Sequence, residues 1–353
     1  MKSKVLGLIG KIAVLLVGIG IKFLLPENDY IFLNLVLLIF GFVLLIKGAD
    51  WFVESASKIA DKFGVSQLII GLTIVAFGTS APEAAVSITA AGSASGSVDI
   101  AIGNVMGSNI MNVLLILGIT CLICPLAVQA STRKIEIPFV IFISALPIVM
   151  GYFDGTIGRL DGIILFALMI GFVIYLLMMA RKGQGAVEEG ETADESDKMF
   201  LLILLVLIGG ASIVFGSDIT VNAATVIAKK AGMSEKLVGL TIVAFGTSLP
   251  ELMTSIIAAS KKKADIAVGN IVGSNIFNLL FVMALTGIVS PVALPYHTET
   301  TNFLMDNIVA IYAAVLLLIG VLNKDSKLKR WTGGVMVASY AGYFTYLMMN
   351  AQK

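Results

Sequence analysis

The segment GLTIVAFGTSAPE at 71–83 returns as GLTIVAFGTSLPE at 239–251, differing only at Ala81 against Leu249, and chance does not produce a match of that length. A second pair follows each copy: DIAIGNVMGSNIMN at 99–112 and DIAVGNIVGSNIFN at 265–278. The stretches between the paired motifs differ in length by two residues, so the duplicated unit is two helices deep rather than a single motif. Even the preceding segments correspond, because Asp50 of IKGADWFVESASKIA stands as far from its motif as Asp218 of VFGSDITVNAATVIA. The chain must fold as two related halves.

Composition says in which solvent. With 58% hydrophobic residues, 13% charged residues and a mean hydropathy of +0.98, the chain leaves the soluble class. Apolar runs of about 20 residues, the length that crosses a ~30 Å hydrocarbon core, recur throughout and leave no room for a separate soluble domain. Strand-length alternating segments of the membrane-barrel kind are absent, and 35 glycines suit close packing of membrane helices. The fold class expected is therefore all-α, with helices near 4–25, 31–59, 66–91, 99–122, 135–152, 160–181, 199–229, 236–260, 265–288, 303–322 and 331–349. A net charge of +1 argues against a nucleic-acid partner.

These eleven spans divide into an extra N-terminal helix (1–28), a first five-helix repeat (29–181), an acidic linker (182–198) and a second five-helix repeat (199–353). A signal peptide is the alternative for the first segment, but Lys11 and Lys22 interrupt it and KFLLPEND lacks a small-residue cleavage site. Corresponding elements are offset by five spans, an odd number, so the two copies enter the bilayer in opposite directions. Charge agrees with this. Alternate loops place 16 basic residues on one side, among them Lys58, Lys62, Arg133, Lys261, Lys262, Lys263 and Arg330, and five on the other. The positive-inside rule then makes the richer side cytoplasmic, together with the N-terminus and the linker, in a multi-pass protein of the cell membrane. The loop after the first motif, GSASGSV, is uncharged, whereas the second is followed by Lys261, Lys262 and Lys263.

The chemistry centres on Glu83 and Glu251. Each lies within an apolar segment, where an ionisable group costs about 2.5–3.5 kcal/mol or more unless paired or solvated, and nothing basic is near in sequence. Each follows a proline, Pro82 or Pro250, that supplies no N–H and clashes with the carbonyl four residues back, at Gly78 or Gly246, so a helix break is expected there. Freed carbonyls of broken membrane helices can line a cation cavity. Thr79, Ser80, Thr247 and Ser248 add hydroxyls, and Ser108 with Asn112, like Ser274 with Asn278, shares one helical face at a spacing of four. All of these are oxygen donors. That set suits Ca²⁺ or Na⁺, while Zn²⁺ or copper would call for His or Cys.

At these residues the chain resembles the sodium/calcium exchangers of the cation/calcium antiporter superfamily, over nearly everything after the first helix. The resemblance implies that Glu83 and Glu251, with the backbone carbonyls of Thr79 and Thr247, bind Ca²⁺. It implies two flanking Na⁺ sites: one from Glu83, Ser108, Ala244, Thr247 and Ser248, the other from Ala76, Thr79, Ser80, Glu251 and Ser274, with Asn112 and Asn278 between them. The implied activity is secondary antiport of Ca²⁺ against Na⁺ by alternating access, with the two ions as substrates, the bilayer as surroundings and no cofactor. Some relatives, the potassium-dependent branch included, carry aspartate in place of Asn278, so the neutral residue weakens a K⁺ requirement. The linker is too short to be the regulatory domain of the animal exchangers.

Plainer readings apply elsewhere. Gly71, Gly78, Gly103 and Gly107 read as packing positions, Cys121 and Cys124 as helix packing, Asp99 and Asp265 as N-caps, and Lys47 and Glu54 as structural. Asp50 and Asp218 divide evenly between structure and an access path. Three functions compete with Na⁺-driven exchange: Ca²⁺/H⁺ antiport, whose proteins tend to show GNxxE around the acid; a channel; and an intramembrane hydrolase. The hydrolase fares worst because the one histidine, His297, lies in a predicted loop away from the motifs. Being a transporter, the protein is not expected to be an enzyme, and the sequence leaves its oligomeric state open.

Overall fold

The computed structural model describes residues 10–20, 30–92, 98–181, 198–233, 242, 244–293 and 303–351. His297 and all but the last residue of the linker fall outside these ranges. Among the described residues each expected span has its helix. The first half contributes α1 (Gly10–Gly20), α2 (Ile31–Phe63), α3 (Gln67–Thr79), α4 (Ala81–Gly92), α5 (Val98–Met111, continuing through Asn112–Leu117 and Gly118–Ile123), α6 (Thr132–Glu136 and Ile137–Asp154) and α7 (Arg159–Arg181). The second contributes α8 (Met199–Lys230), α9 (Ala244–Thr247), α10 (Leu249–Ser260), α11 (Ala264–Val289), α12 (Phe303–Val321) and α13 (Arg330–Ala351).

Local chemistry sets the ends. Gly64 and Gly155 close α2 and α6 in the left-handed region, at φ of 62° and 69°, where a side chain would be strained. α5 and α11 stop for a shared reason. Cys124 and Ser290 precede Pro125 and Pro291, and both adopt extended backbone, at φ −139° and −144°, as a residue before proline must.

α2 and α8 cross antiparallel with their backbones touching. A Cβ on Gly41 would come within 3.0 Å of the Gly216 carbonyl oxygen, and one on Gly48 within 3.0 Å of the Gly209 oxygen. The register is reciprocal, since Gly41 and Gly48 occupy the positions in the first half that Gly209 and Gly216 occupy in the second. Equivalent helices therefore run in opposite directions. α3 meets α11 in the same close manner, through Gly71 against Gly269 and Gly273 against Ala76.

The most enclosed span is α11, with 83% of its apolar window buried, while α7 at 22% lies on the outside and presents Leu160, Ile163 and Leu177 to lipid. Two antiparallel ladders, each two residues per strand, tie loops across the halves: β1 (Leu126–Ala127) with β4 (Lys327–Leu328), and β2 (Thr156–Ile157) with β3 (Val292–Ala293). The last two helices of each half share another device, a tyrosine donating to an acid, Glu136 fully buried and Asp306 half-buried. Tyr175 bonds Glu136 between α7 and α6, and Tyr343 Oη bonds Asp306 Oδ1 at 2.7 Å between α13 and α12.

Two expectations need correction. Asp265 is not an N-cap: Lys263 holds that place, and Asp265 sits in the first turn of α11 accepting a hydrogen bond from Gln129. Asp99 lies inside α5 rather than at its cap, because the helix opens at Val98. The cysteine pair is unbridged, and Cys121 packs against Gly333, as helix packing requires.

Candidate cation site

The helix breaks fall at Ser80 and Ser248, two residues before the prolines. α3 and α4 meet at 49°, with Ser80 at φ −85° and ψ 4°, and Ser248 adopts nearly the same angles, −93° and 4°. Pro82 and Pro250 thus occupy the first turn of the helix that follows, where a missing N–H is no loss. Of the two carbonyls expected to be freed, that of Gly246 accepts the Ser217 hydroxyl at 2.7 Å and is satisfied by protein.

Each break turns the following first turn, and its glutamate, toward the other half. Glu83 and Glu251 are each 1% exposed. Ser80 Oγ donates to Glu251 Oε1 at 2.9 Å, and Ser248 Oγ to Glu83 Oε1 at 3.5 Å, so each carboxylate is held by the serine of the opposite copy. Behind them an asparagine fixes each helix: Asn104 Nδ2 donates to the Glu83 carbonyl at 3.1 Å and to Ser87 Oγ at 2.9 Å. Asn270 Nδ2 does the same for the Glu251 carbonyl at 3.4 Å and Ser255 Oγ at 3.0 Å. Thr79 Oγ1 donates to Asn270 Oδ1 at 3.0 Å, tying α3 to α11.

Between the carboxylates' helices, α5 and α11 cross through four asparagines. Asn112 Nδ2 donates to Asn275 Oδ1 at 3.0 Å and Asn278 Nδ2 to Asn109 Oδ1 at 3.1 Å, while Asn109 and Asn275 donate to each other's backbone carbonyls at 3.4 and 3.2 Å. Asn112 and Asn278 each open a π-helical turn, Asn112–Leu117 and Asn278–Val282, a widening that recurs at functional sites.

What these bonds leave over is oxygen. Glu83 Oε2, Glu251 Oε2, Asn112 Oδ1, Asn278 Oδ1 and Ser274 Oγ are buried without a hydrogen-bond partner. A buried unpartnered polar oxygen costs roughly 1–3 kcal/mol, and a carboxylate more. No cationic side chain within salt-bridge distance of either glutamate appears among the described residues, nor does any group of three or more His, Cys, Asp and Glu. The set is two carboxylates with amide and hydroxyl oxygens, chemistry that fits a hard cation.

The remaining sequence-derived residues lie on α3, α5 and α9. Thr79, Ala76 and Ser108 are buried, Thr247 is half-buried at the end of α9, and Ala244 opens α9, where only its backbone is described.

The family model for sodium/calcium exchanger proteins matches residues 33–178 and 201–349, which is most of the chain and both halves. The chain belongs to the sodium/calcium exchanger family. This exchanger is 32% identical over 360 residues to sodium/calcium exchanger MaX1 of Methanosarcina acetivorans, covering 89% of this chain and 98% of that one. It is 36% identical over 288 residues to the inner membrane protein YrbG of Escherichia coli, covering 79% and 87%. A solved structure of the sodium-calcium exchanger NCX_Mj superposes with a TM-score of 0.76 at 30% identity, over 90% of this chain and all of that one. The exchanger is accordingly a multi-pass membrane transporter, a cation/Ca²⁺ antiporter and not an enzyme.

Sequence reasoning missed Asn104, Asn109, Asn270 and Asn275, although all four lie inside the repeated GNxxGSNxxN. Their identity in both copies was the available signal. Each binds protein rather than standing as an open ligand, so the search for cation ligands passed over them.

Proposed function

We propose that the exchanger moves Ca²⁺ against Na⁺ across the cell membrane, with Glu83 and Glu251 as its central ligands. The observation that carries this is the set of unpartnered buried oxygens on Glu83, Glu251, Asn112, Asn278 and Ser274, the first four forming two matched pairs. In this reading Ca²⁺ is held by the two carboxylates with the backbone carbonyls of Thr79 and Thr247. One Na⁺ site uses Glu83, Ser108, Ala244, Thr247 and Ser248, and the other Ala76, Thr79, Ser80, Glu251 and Ser274. The cross-halves bonds from Ser80 and Ser248 support a site that both copies build together.

Alternating access follows from two oppositely directed repeats, 29–181 and 199–353, exchanging conformations around this centre. The helix Gly10–Gly20 precedes the first repeat, and in this reading the N-terminus and the 182–198 linker face the cytoplasm. Purified protein in liposomes tests the reading: an outward-to-inward Ca²⁺ flux driven by an imposed Na⁺ gradient is expected. Flux that ignores Na⁺ and follows a pH gradient would make the carboxylates proton carriers. Passive flux without a counter-ion would make the protein a channel.

A further inference from the structure

Away from the cation site, charged side chains cluster where α2 meets the end of α10. Lys261 Nζ lies 2.6 Å from Asp50 Oδ1 and 3.4 Å from Glu54 Oε2, and Glu54 Oε1 lies 2.9 Å from Lys58 Nζ. On the same stretch of α2, Lys11 of α1 sits 5.3 Å from the centre of the Trp51 ring. Lys261 caps α10, the helix whose first turn holds Glu251, so the ion pairs join α2 of one half to a site-bearing helix of the other. We propose that Lys261 is a latch residue: its pairs with Asp50 and Glu54 hold this face of the molecule closed and bias the site toward the opposite face. The proposal rests on the antiport reading above.

Three observations support it. Glu83 and Glu251 are each 1% exposed, so an ion reaches them only when helices part on one face, and Lys261 bridges two helices that would have to part on its own face. Toward its opposite end α2 keeps its backbone contact with α8 at Gly41 but borders a cavity on its flank. An apolar cavity of about 540 Å³ opens there, lined by Leu38, Phe42, Val221, Phe245, Met111 and Leu249, the last two being neighbours in sequence of Asn112 and Ser248. Leu38 and Phe42 stand about 12 residues, roughly 18 Å of helix, from Asp50 and Glu54.

The third observation is that the lysine run of this latch occurs in one copy of the sequence. Asp50 has its match in Asp218, but the match of Glu54 is Asn222, which donates to Asp218 Oδ2 at 3.3 Å within its own helix. The match of the Lys261–Lys263 run is the lysine-free GSASGSV. Two otherwise equivalent conformations thereby acquire unequal energies. Because the three side chains are about one-third exposed, the bias is modest, on the order of two- to fivefold in the population ratio.

The test measures half-saturating Ca²⁺ for Na⁺-driven flux from each face separately, in vesicles sorted by orientation. Lys261→Ala is expected to lower the constant on the Lys261 face and raise it on the other, about two- to fivefold in the ratio, with Glu54→Gln giving the same signs more weakly. The charge exchange Asp50→Lys with Lys261→Asp is expected to return the ratio toward wild type, which a loss of packing would not. Constants that stay unchanged, or move together on both faces, overturn the latch, as does a charge exchange without rescue in properly folded protein. Wild-type vesicles that carry no Ca²⁺ from either face overturn the antiport reading itself, and the latch with it.

Discussion

The centre of the exchanger and its lysine-bearing rim are built on opposite rules. At the centre three devices occur twice: serine to opposite glutamate, asparagine to glutamate carbonyl, asparagine across to asparagine. At the rim, Lys261 pairs with Asp50 and Glu54, while the corresponding loop of the first half, GSASGSV, contains no lysine. Ligands must serve an ion equally well whichever face is open, so matching them is a requirement. Which face opens more readily is a separate quantity, and a few unmatched surface charges can set it without disturbing the ligands. The centre therefore tolerates little change in either copy, and the rim tolerates a good deal.

The largest test of that contrast is Glu83→Gln and Glu251→Gln. Each is expected to abolish Ca²⁺ flux while leaving the helical circular dichroism and the gel-filtration profile unchanged; a variant with normal flux would remove its residue from the site. Next comes a glycine at the close contact of α11 with α3. A Cβ on Gly273 would lie 2.7 Å from Ala76 Cβ and 2.9 Å from Leu72 Cα. Gly273→Ala should lower stability by about 1–3 kcal/mol in a thermal-shift assay. An unchanged melting temperature would mean that α11 can draw back from α3 without loss.

A finer comparison uses the two serines. Ser80 bonds its carboxylate at 2.9 Å and Ser248 at 3.5 Å, so Ser80→Ala should weaken apparent Ca²⁺ affinity more, by about tenfold against two- to threefold. The reverse order would place the tighter bond in the other copy. The smallest effect belongs to Asp325→Ala, which breaks an exposed pair with Lys329 at 3.3 Å and should cost no more than about 0.5 kcal/mol.

Much of this was legible in the sequence, because membrane helices announce themselves by length and the duplication doubles every signal. Helix ends at Cys124 and Ser290 follow from the prolines behind them. Proline chemistry also foretold the broken helices, but the break moved to Ser80 and Ser248, since a proline is comfortable in a helix's first turn and need not sit at the kink. Asp265 misled for a related reason: an aspartate near a helix start reads as a cap until its neighbours show that Gln129 holds it. Contacts between distant segments were the hidden part. Tyr175 with Glu136, Tyr343 with Asp306 and Lys261 with Asp50 join residues on separate helices, and one sequence supplies no register between them.

Ser80 reaches Glu251 across 171 residues, and Leu126 pairs with Leu328 across a still longer span. This has a consequence for how the molecule is made. At about 5–20 residues per second, a ribosome needs roughly 10–30 seconds to bring the second motif out after the first. For that interval the first half sits in the bilayer with its glutamate lacking the serine that will hold it and β1 lacking its strand. Biogenesis of this exchanger thus passes through a half-protein in which Glu83 still lacks its partner serine.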